Sequence, residues 1–445
     1  MKTVKKLLSI CLLFFLATAQ AKISYDINEP NIVARMGELT LSKSVVELFW
    51  QSYNHPSRPI SPPQAMQRII DEALLAEYAR NNLSKEALHT ENKVGFALSV
   101  QQEDRTIALI RKANENVLKD TIQKLPGGSL DGIYSFDKNF TKEKYQQIFA
   151  LESKVNIEAT TKQIDVAKRT IVATLRLDNR DINLSLWDIY RRQNVQGRLS
   201  MHNGELEHLK AEVRQRVGSL FIMHWAEKEL PSHDLMAIKQ IVRNEQDKNS
   251  LLKSMGLYAD VHDDNPVLRE KSKSVSEKEI LSFYEENKEE FAVVEKVKVR
   301  HIQVKDQALA DKIHHELEEG LSFEKAVVKY SIAADKNKPV PGDLGWLKRS
   351  DKNRTWLHSV AFTQKKGQLS VPFRSPQNQG EIVYEIIKVD DRIDGYLAVT
   401  DPTVHYEASR DIALKKLKND FLALQKALRE NADIKINKNA FPGRK

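Results

Sequence analysis

The sequence of 445 residues holds a single cysteine, Cys11. It falls within the first 21 residues, so the chain beyond them has no disulfide and no thiol chemistry. Beyond residue 21 there is also no run of 18 or more apolar residues, which excludes a membrane-spanning helix from the expected mature chain. No block of Arg and Lys marks a nucleic-acid footprint. Of the formal charge of +8, Lys2, Lys5 and Lys6 supply three, and the remaining +5 is spread thinly over a long chain. G-x-S-x-G, Walker A, dinucleotide and H-E-x-x-H motifs are all missing. His314-His315-Glu316 comes nearest to a metal motif, but adjacent helical positions point in different directions and describe a solvated face. Neither a metal nor a cofactor is expected.

What is present is a hydrophobic fraction of 41% beside 29% charged residues, the balance of a folded chain rich in surface helices. The length suits two to four domains. Three lysines precede the apolar run Leu7–Ala17, and Ala19-Gln20-Ala21 supplies small residues at the cleavage positions. This is a secretory signal peptide, so the mature protein is expected to begin at Lys22 in the periplasm. Cys11 is not at the cleavage point, which argues against a lipoprotein.

Met66, Ile70, Leu74, Leu75, Tyr78 and Ala79 recur at helical spacing. Adding 147 to each number gives Val213, Val217, Phe221, Ile222, Trp225 and Ala226 in a second such run. Short extended pieces, beginning at Val33 and Val172, lie ahead of each. An internal repeat and a mere similarity of helical hairpins both account for this. Gly127-Gly128 and Asp260–Pro266 read as loops or boundaries. Ser276 and Glu279 form a capping box opening a helix that runs to about Phe291. Leu414, Leu417, Phe421, Leu424 and Leu428 form a stripe expected to pack against the N-terminal helices.

The segment Val297–Val304 puts Val297, Val299, His301 and Gln303 on one face of a strand, and Val383–Val389 puts Val383, Glu385, Ile387 and Val389 on one face of another. A histidine and a carboxylate thus interrupt two apolar faces. Between them lie helical stretches at Ala308–Glu319 and Ser322–Ser331, a turn-rich stretch at Pro339–Trp346, a helical piece near Leu357–Phe362 and a turn at Lys365–Gln368.

The pieces V299-R-H-I-Q-V304, F323-E-K-A-V-V-K-Y-S331, G342-D-L-G-W346, A361-F362, K366-G-Q-L-S370 with Pro372, and E385-I-I-K-V389 resemble the parvulin-type peptidyl-prolyl isomerase (PpiC/rotamase) family. Helical segments on both sides of an exported module further resemble SurA- and PpiD-like periplasmic folding factors. The resemblance implies an α+β fold: mostly helical chaperone-like regions plus a compact α/β domain with a small antiparallel sheet flanked by helices. The expected organisation is a signal peptide (1–21), a helical region (22–125), a second helical region that an internal repeat would make its copy (126–270), a connecting helix (271–295), the parvulin-like domain (296–392) and a C-terminal helix and tail (393–445).

In parvulins two histidines on neighbouring strands face each other at the floor of a proline pocket. Carried over, His301 holds the first position and Glu385 stands where the second histidine is expected. A third polar position falls on Ala333 or, allowing one extra residue before the G-D-L-G motif, on Asp335. His301, Glu385 and Asp335 are the candidate catalytic residues. Leu357, Phe362, Asn353 and Trp346 are the candidate substrate-binding residues, with Asn353 near the family's usual Met and Pro341 replacing its usual Gly. The implied partners are unfolded or nascent exported polypeptides and their X-Pro segments. Two functions follow: an exported isomerase–chaperone, or a holdase whose module has lost catalysis and only binds unfolded chains.

Overall fold

The computed structural model describes residues 22–25, 27–89, 94–150, 157–257, 265–376 and 381–441. The expected signal peptide, with Cys11, lies outside the described residues, as does most of the expected boundary at Asp260–Pro266. The described strands are β1 (Lys22–Ser24), β2 (Ile32–Met36), β3 (Leu39–Ser42), β4 (Tyr134–Phe136), β5 (Ile171–Leu177), β6 (Arg180–Ser185), β7 (Ala292–Val304), β8 (Asp343–Lys348), β9 (Phe373–Arg374), β10 (Tyr384–Tyr396) and β11 (Asp433–Ile436). They form three sheets, ordered β1-β11-β2-β3, β4-β5-β6 and β8-β7-β10-β9. The chain divides into two compact units, residues 1–267 with 417–445, and residues 268–416. Among the described residues, no helix is long and apolar enough to cross a membrane.

In the first unit both helical stripes are buried except for Tyr78, which is half-buried. Met66, Ile70, Leu74, Leu75 and Ala79 lie on the helix Pro62–Asn82, and Val213, Val217, Phe221, Ile222, Trp225 and Ala226 lie on Leu206–Glu229. The boundary expected near residue 126 does not separate two cores. Val33, Phe49 and Ile70 share one buried cluster with Val172, Val213 and Ile238. The long helix Ser232–Ser254 ties the halves: its buried Asp247 accepts from Arg80, and its Lys248 donates to the buried Glu72 of Pro62–Asn82. The C-terminal stripe packs against the N-terminal helices, as its spacing predicts. Phe421, Leu424 and Leu428 of the helix Pro402–Asn431 pack against Leu75, Ala79, Leu88 and Leu251. Arg429 pairs with the buried carboxylate of Asp71. This helix delivers β11 into the gap between β1 and β2.

The β2–β3 and β5–β6 hairpins each end in a serine that caps the next helix. Ser42 Oγ accepts the Val45 N–H, and Ser185 Oγ accepts the Asp188 N–H. At Ser185 the cap is reciprocal, because Asp188 Oδ2 accepts the Ser185 N–H at 3.0 Å. Ser185→Ala is expected to cost about 1 kcal/mol, read as a lower midpoint in urea unfolding. An unchanged midpoint would mean that this cap contributes nothing.

In the second unit the helix Glu277–Glu286 is started by the Ser276–Glu279 capping box that the sequence predicts. All pairings in its sheet are antiparallel. β10 pairs with β7 as far as Tyr396 opposite Ala292, so the expected limits 296 and 392 fall inside paired strands. Asp343–Trp346, expected within a turn-rich stretch, is strand instead, since β7 supplies a partner edge for it. On one sheet face Ile302, Val304 and Ile386 pack against Ile313, Phe323 and Val327 of the helices Gln307–Glu318 and Phe323–Tyr330. On the other, Val297, Val299, Ile387 and Val389 pack against Ala361 of the helix Trp356–Ala361.

Candidate functional site

His301 and Glu385 both lie on the face of the sheet that carries Val297 and Val299. Residue pairs directly opposite in the ladder are His301 with Ile387 and Gln303 with Glu385. The expected face-to-face pair is therefore a diagonal one, still within reach of long side chains. His301 Nδ1 meets Glu385 Oε2 at 2.8 Å, and Glu385 Oε1 accepts from Gln303 Nε2 at 2.7 Å. Glu385 has no exposed surface and His301 is 5% exposed. Neither polar group is left alone in the core, which would be costly.

The other ring nitrogen, Nε2, meets Asp335 Oδ2 at 2.8 Å. Asp335 sits in the short 3-10 turn Ala334–Asn337, and its backbone carbonyl accepts the Gly342 N–H. The His301 N–H in turn donates to the Gly342 carbonyl at 2.9 Å. Gly342 has φ +74°, and a Cβ there would lie 2.5 Å from the His301 carbonyl oxygen. Only glycine allows this approach, which holds the Asp335 turn against the His301 strand. Of the two candidates for the third polar position, the geometry brings Asp335 to the imidazole.

A charged imidazole donates from both ring nitrogens, and ionised carboxylates on either side only accept, so this arrangement favours the protonated ring. Burial opposes that charge. The hydrogen bond and negative charge of Glu385, joined by those of Asp335, outweigh it and raise the His301 pKa above the usual 6.5.

Beside this polar floor stands an apolar wall. Leu357 and Phe362 pack against the Val297, Val299, Ile387 and Val389 cluster, together with Phe373. Phe373 of β9 is the direct ladder partner of Glu385, and the Trp356 ring meets it edge-on at 5.4 Å. The buried His358 stacks on Phe362, and its Nδ1 accepts the Thr355 N–H at 3.0 Å, which fixes the ring. Two expected pocket residues fall elsewhere. Trp346 pairs opposite Lys298, so strand alternation turns it to the other face, where the Lys296 ammonium lies 4.9 Å from its ring centre. Asn353 is exposed in the loop before the helix Trp356–Ala361, with nothing to hold it toward His301.

Sequence reasoning passed over Gln303, Phe373, Trp356 and His358. Gln303 was visible in the alternation that singled out His301. The others needed the ladder register and the helix position.

The model of the PPIC-type PPIASE domain family matches residues 275–399. The foldase protein PrsA of Bacillus subtilis (strain 168) is 28% identical over 144 residues, covering 32% of this chain and 45% of that protein. The periplasmic chaperone PpiD of Haemophilus ducreyi is 25% identical over 154 residues, covering 34% of this chain and 23% of that protein. The chain thus spans less than half the length of these relatives. A crystal structure of peptidylprolyl isomerase PrsA from Bacillus cereus covers 53% of this chain and 79% of its own at 19% identity, with a TM-score of 0.21, too low to support any argument from that likeness. The matched segment runs from the Ser276 capping box through the whole antiparallel sheet and the His301–Glu385–Asp335 cluster: residues 275–399 form a PPIC-type PPIase domain.

Proposed function

We propose that this chain is an exported peptidyl-prolyl cis–trans isomerase that also holds unfolded envelope or secreted polypeptides while they fold, and that it works in the periplasm. The observation that carries the reading is the family match of residues 275–399 over a buried polar floor flanked by an apolar wall. The N-terminal 21 residues, read as a signal peptide, support export.

Isomerisation of an X-Pro bond crosses a barrier of about 18–20 kcal/mol and needs no bond to the protein. The amide must lose its resonance, and water stabilises the planar, charge-separated form. A dry cup that holds the proline ring against Leu357, Phe362 and Phe373 lowers the barrier by excluding that water. In this reading His301 is not a proton donor to the substrate, because Glu385 and Asp335 engage both ring nitrogens. It fixes the shape and charge of the floor. Asp335 Oδ1 is buried and without a hydrogen-bond partner.

Two assays on the full chain test the reading together: acceleration of a proline-limited refolding reaction, and suppression of aggregation of a proline-free unfolded client. Both activities are expected. Suppression without acceleration would establish a holdase with an inactive module. Glu385→His, which restores the family's second histidine, is expected to preserve or raise turnover of an X-Pro peptide, and a loss would show that the carboxylate itself is required.

A further inference from the structure

The β2–β3 and β5–β6 hairpins agree in more than shape. Both begin Ile-Val-Ala, as Ile32-Val33-Ala34 and Ile171-Val172-Ala173, and both have a register shift across the valine. Both pair the Ile with a Ser and the Ala with a Leu: Ile32 with Ser42 and Ala34 with Leu41, Ile171 with Ser185 and Ala173 with Leu184. The residue after each serine donates its N–H to the residue before each isoleucine, Lys43 to Asn31 and Leu186 to Thr170, both at 2.8 Å.

Each hairpin also has an antiparallel third strand in the same place. Ile436 of β11 lies opposite Ala34, and Phe136 of β4 lies opposite Ala173. The strands leave by the same turn, Asn437-Lys438-Asn439-Ala440 and Asp137-Lys138-Asn139-Phe140. The Asn437 and Asp137 N–H groups donate to Val33 and Val172. Their side chains accept the N–H of Asn439 and Asn139. Their carbonyls accept the N–H of the buried Ala440 and Phe140. So many coincident bonds exceed what two unrelated hairpins would share.

One difference remains. β11 carries β1 on its outer edge in parallel, with Ile23 opposite Ile434. β4 ends its sheet, and among the described residues no strand pairs with its outer edge. The bond from Asp137 to Val172 fixes the ladder phase, so the N–H and C=O of Tyr134 and Phe136 point away from β5. Tyr134 occupies the position of Ile434, whose outward groups face β1. An unpaired edge of this kind is a template for another strand.

We propose that β4 with the β5–β6 hairpin is a second copy of the unit made by β11 and the β2–β3 hairpin, and that the open edge of β4 takes an extended segment of unfolded client as an added parallel strand, as β11 takes β1. The proposal rests on the client-holding reading above and names where such a chain is held. Recognition through backbone groups is indifferent to side chains, which suits clients of many sequences. A cavity of about 380 Å³ adjoins the start of β4, with Ile133, Phe221 and Trp225 on its wall beside Arg176, Asp178 and Lys228.

The test is residue-resolved amide exchange on the full chain, with and without reduced, carboxymethylated α-lactalbumin. The Tyr134 and Phe136 amides are expected to slow about tenfold on binding, while Ser135 and Asp137, already bonded to β5, change far less. Phe136→Pro deletes one outward N–H and no ladder bond, along with a ring that packs edge-on to Phe140. It is expected to weaken client binding about fivefold, one backbone hydrogen bond, with proline-limited refolding unchanged. Client bound with both amides unprotected, or protection in the absence of client together with a doubled mass (pairing between two copies), overturns the edge proposal alone. No client binding at all overturns it along with the holding function. If Phe136→Pro fails to fold, exchange in the unsubstituted chain decides.

Discussion

Glu385→Ala is expected to destabilise the 268–416 unit by about 3–5 kcal/mol, the cost of stripping one partner from a buried ionic pair. The substitution removes the acceptor of both His301 Nδ1 and Gln303 Nε2 from a position with no solvent access, and leaves a cavity beside Phe373. Denaturant unfolding followed by the Trp356 and Trp346 fluorescence reads it; a loss under about 1 kcal/mol would show that water or a rotamer change replaces the carboxylate without difficulty. Glu385→Gln keeps the shape and most of the hydrogen bonding but removes the charge, so the His301 pKa should fall. NMR titration of the ring in the two proteins checks this, and identical curves would mean that the pair does not interact. The pH dependence has a defined sign. A histidine whose pKa is raised by folding stabilises the fold fully below its unfolded value near 6.5, and that contribution is lost as pH rises through the higher folded value. The unsubstituted protein should therefore lose stability over that alkaline step, and Glu385→Gln should lose less.

Gly342→Ala is expected to be the other severe change. Its left-handed φ of +74° alone costs a residue with a Cβ about 1–2 kcal/mol. The 2.5 Å approach to the His301 carbonyl adds to that, because both contacting groups are backbone held by hydrogen bonds on either side. Relieving the clash moves the Asp335 turn away from the imidazole, so the His301 pKa should fall along with stability. If alanine is tolerated with an unchanged His301 titration, the Gly342 approach does not position Asp335.

The local pieces are legible in the chain alone, since their causes are local. Ser276 and Glu279 are three residues apart and cap a helix wherever it packs. The apolar stripes at Met66–Ala79 and Val213–Ala226 bury because helical spacing puts them on one face. The interruption of two strand faces by His301 and Glu385 was legible from alternation, and the order of motifs between them was enough to resemble the family that matches residues 275–399. Tertiary structure decided everything that depends on segments distant in the chain. β7 and β10 are joined by some eighty residues with no tight turn to fix their register, so nothing local says that Ile387, not Glu385, lies opposite His301. The β7–β8 pairing, equally non-local, turns Trp346 away from the floor, and the β9–β10 pairing sets Phe373 beside it. Asp335 reaches the imidazole because Gly342 lets two backbones meet, a contact between residues 41 apart. The C-terminal strand β11 enters the first sheet because burying Phe421, Leu424 and Leu428 brings the chain back to β2, and hydrophobic burial has no direction in sequence.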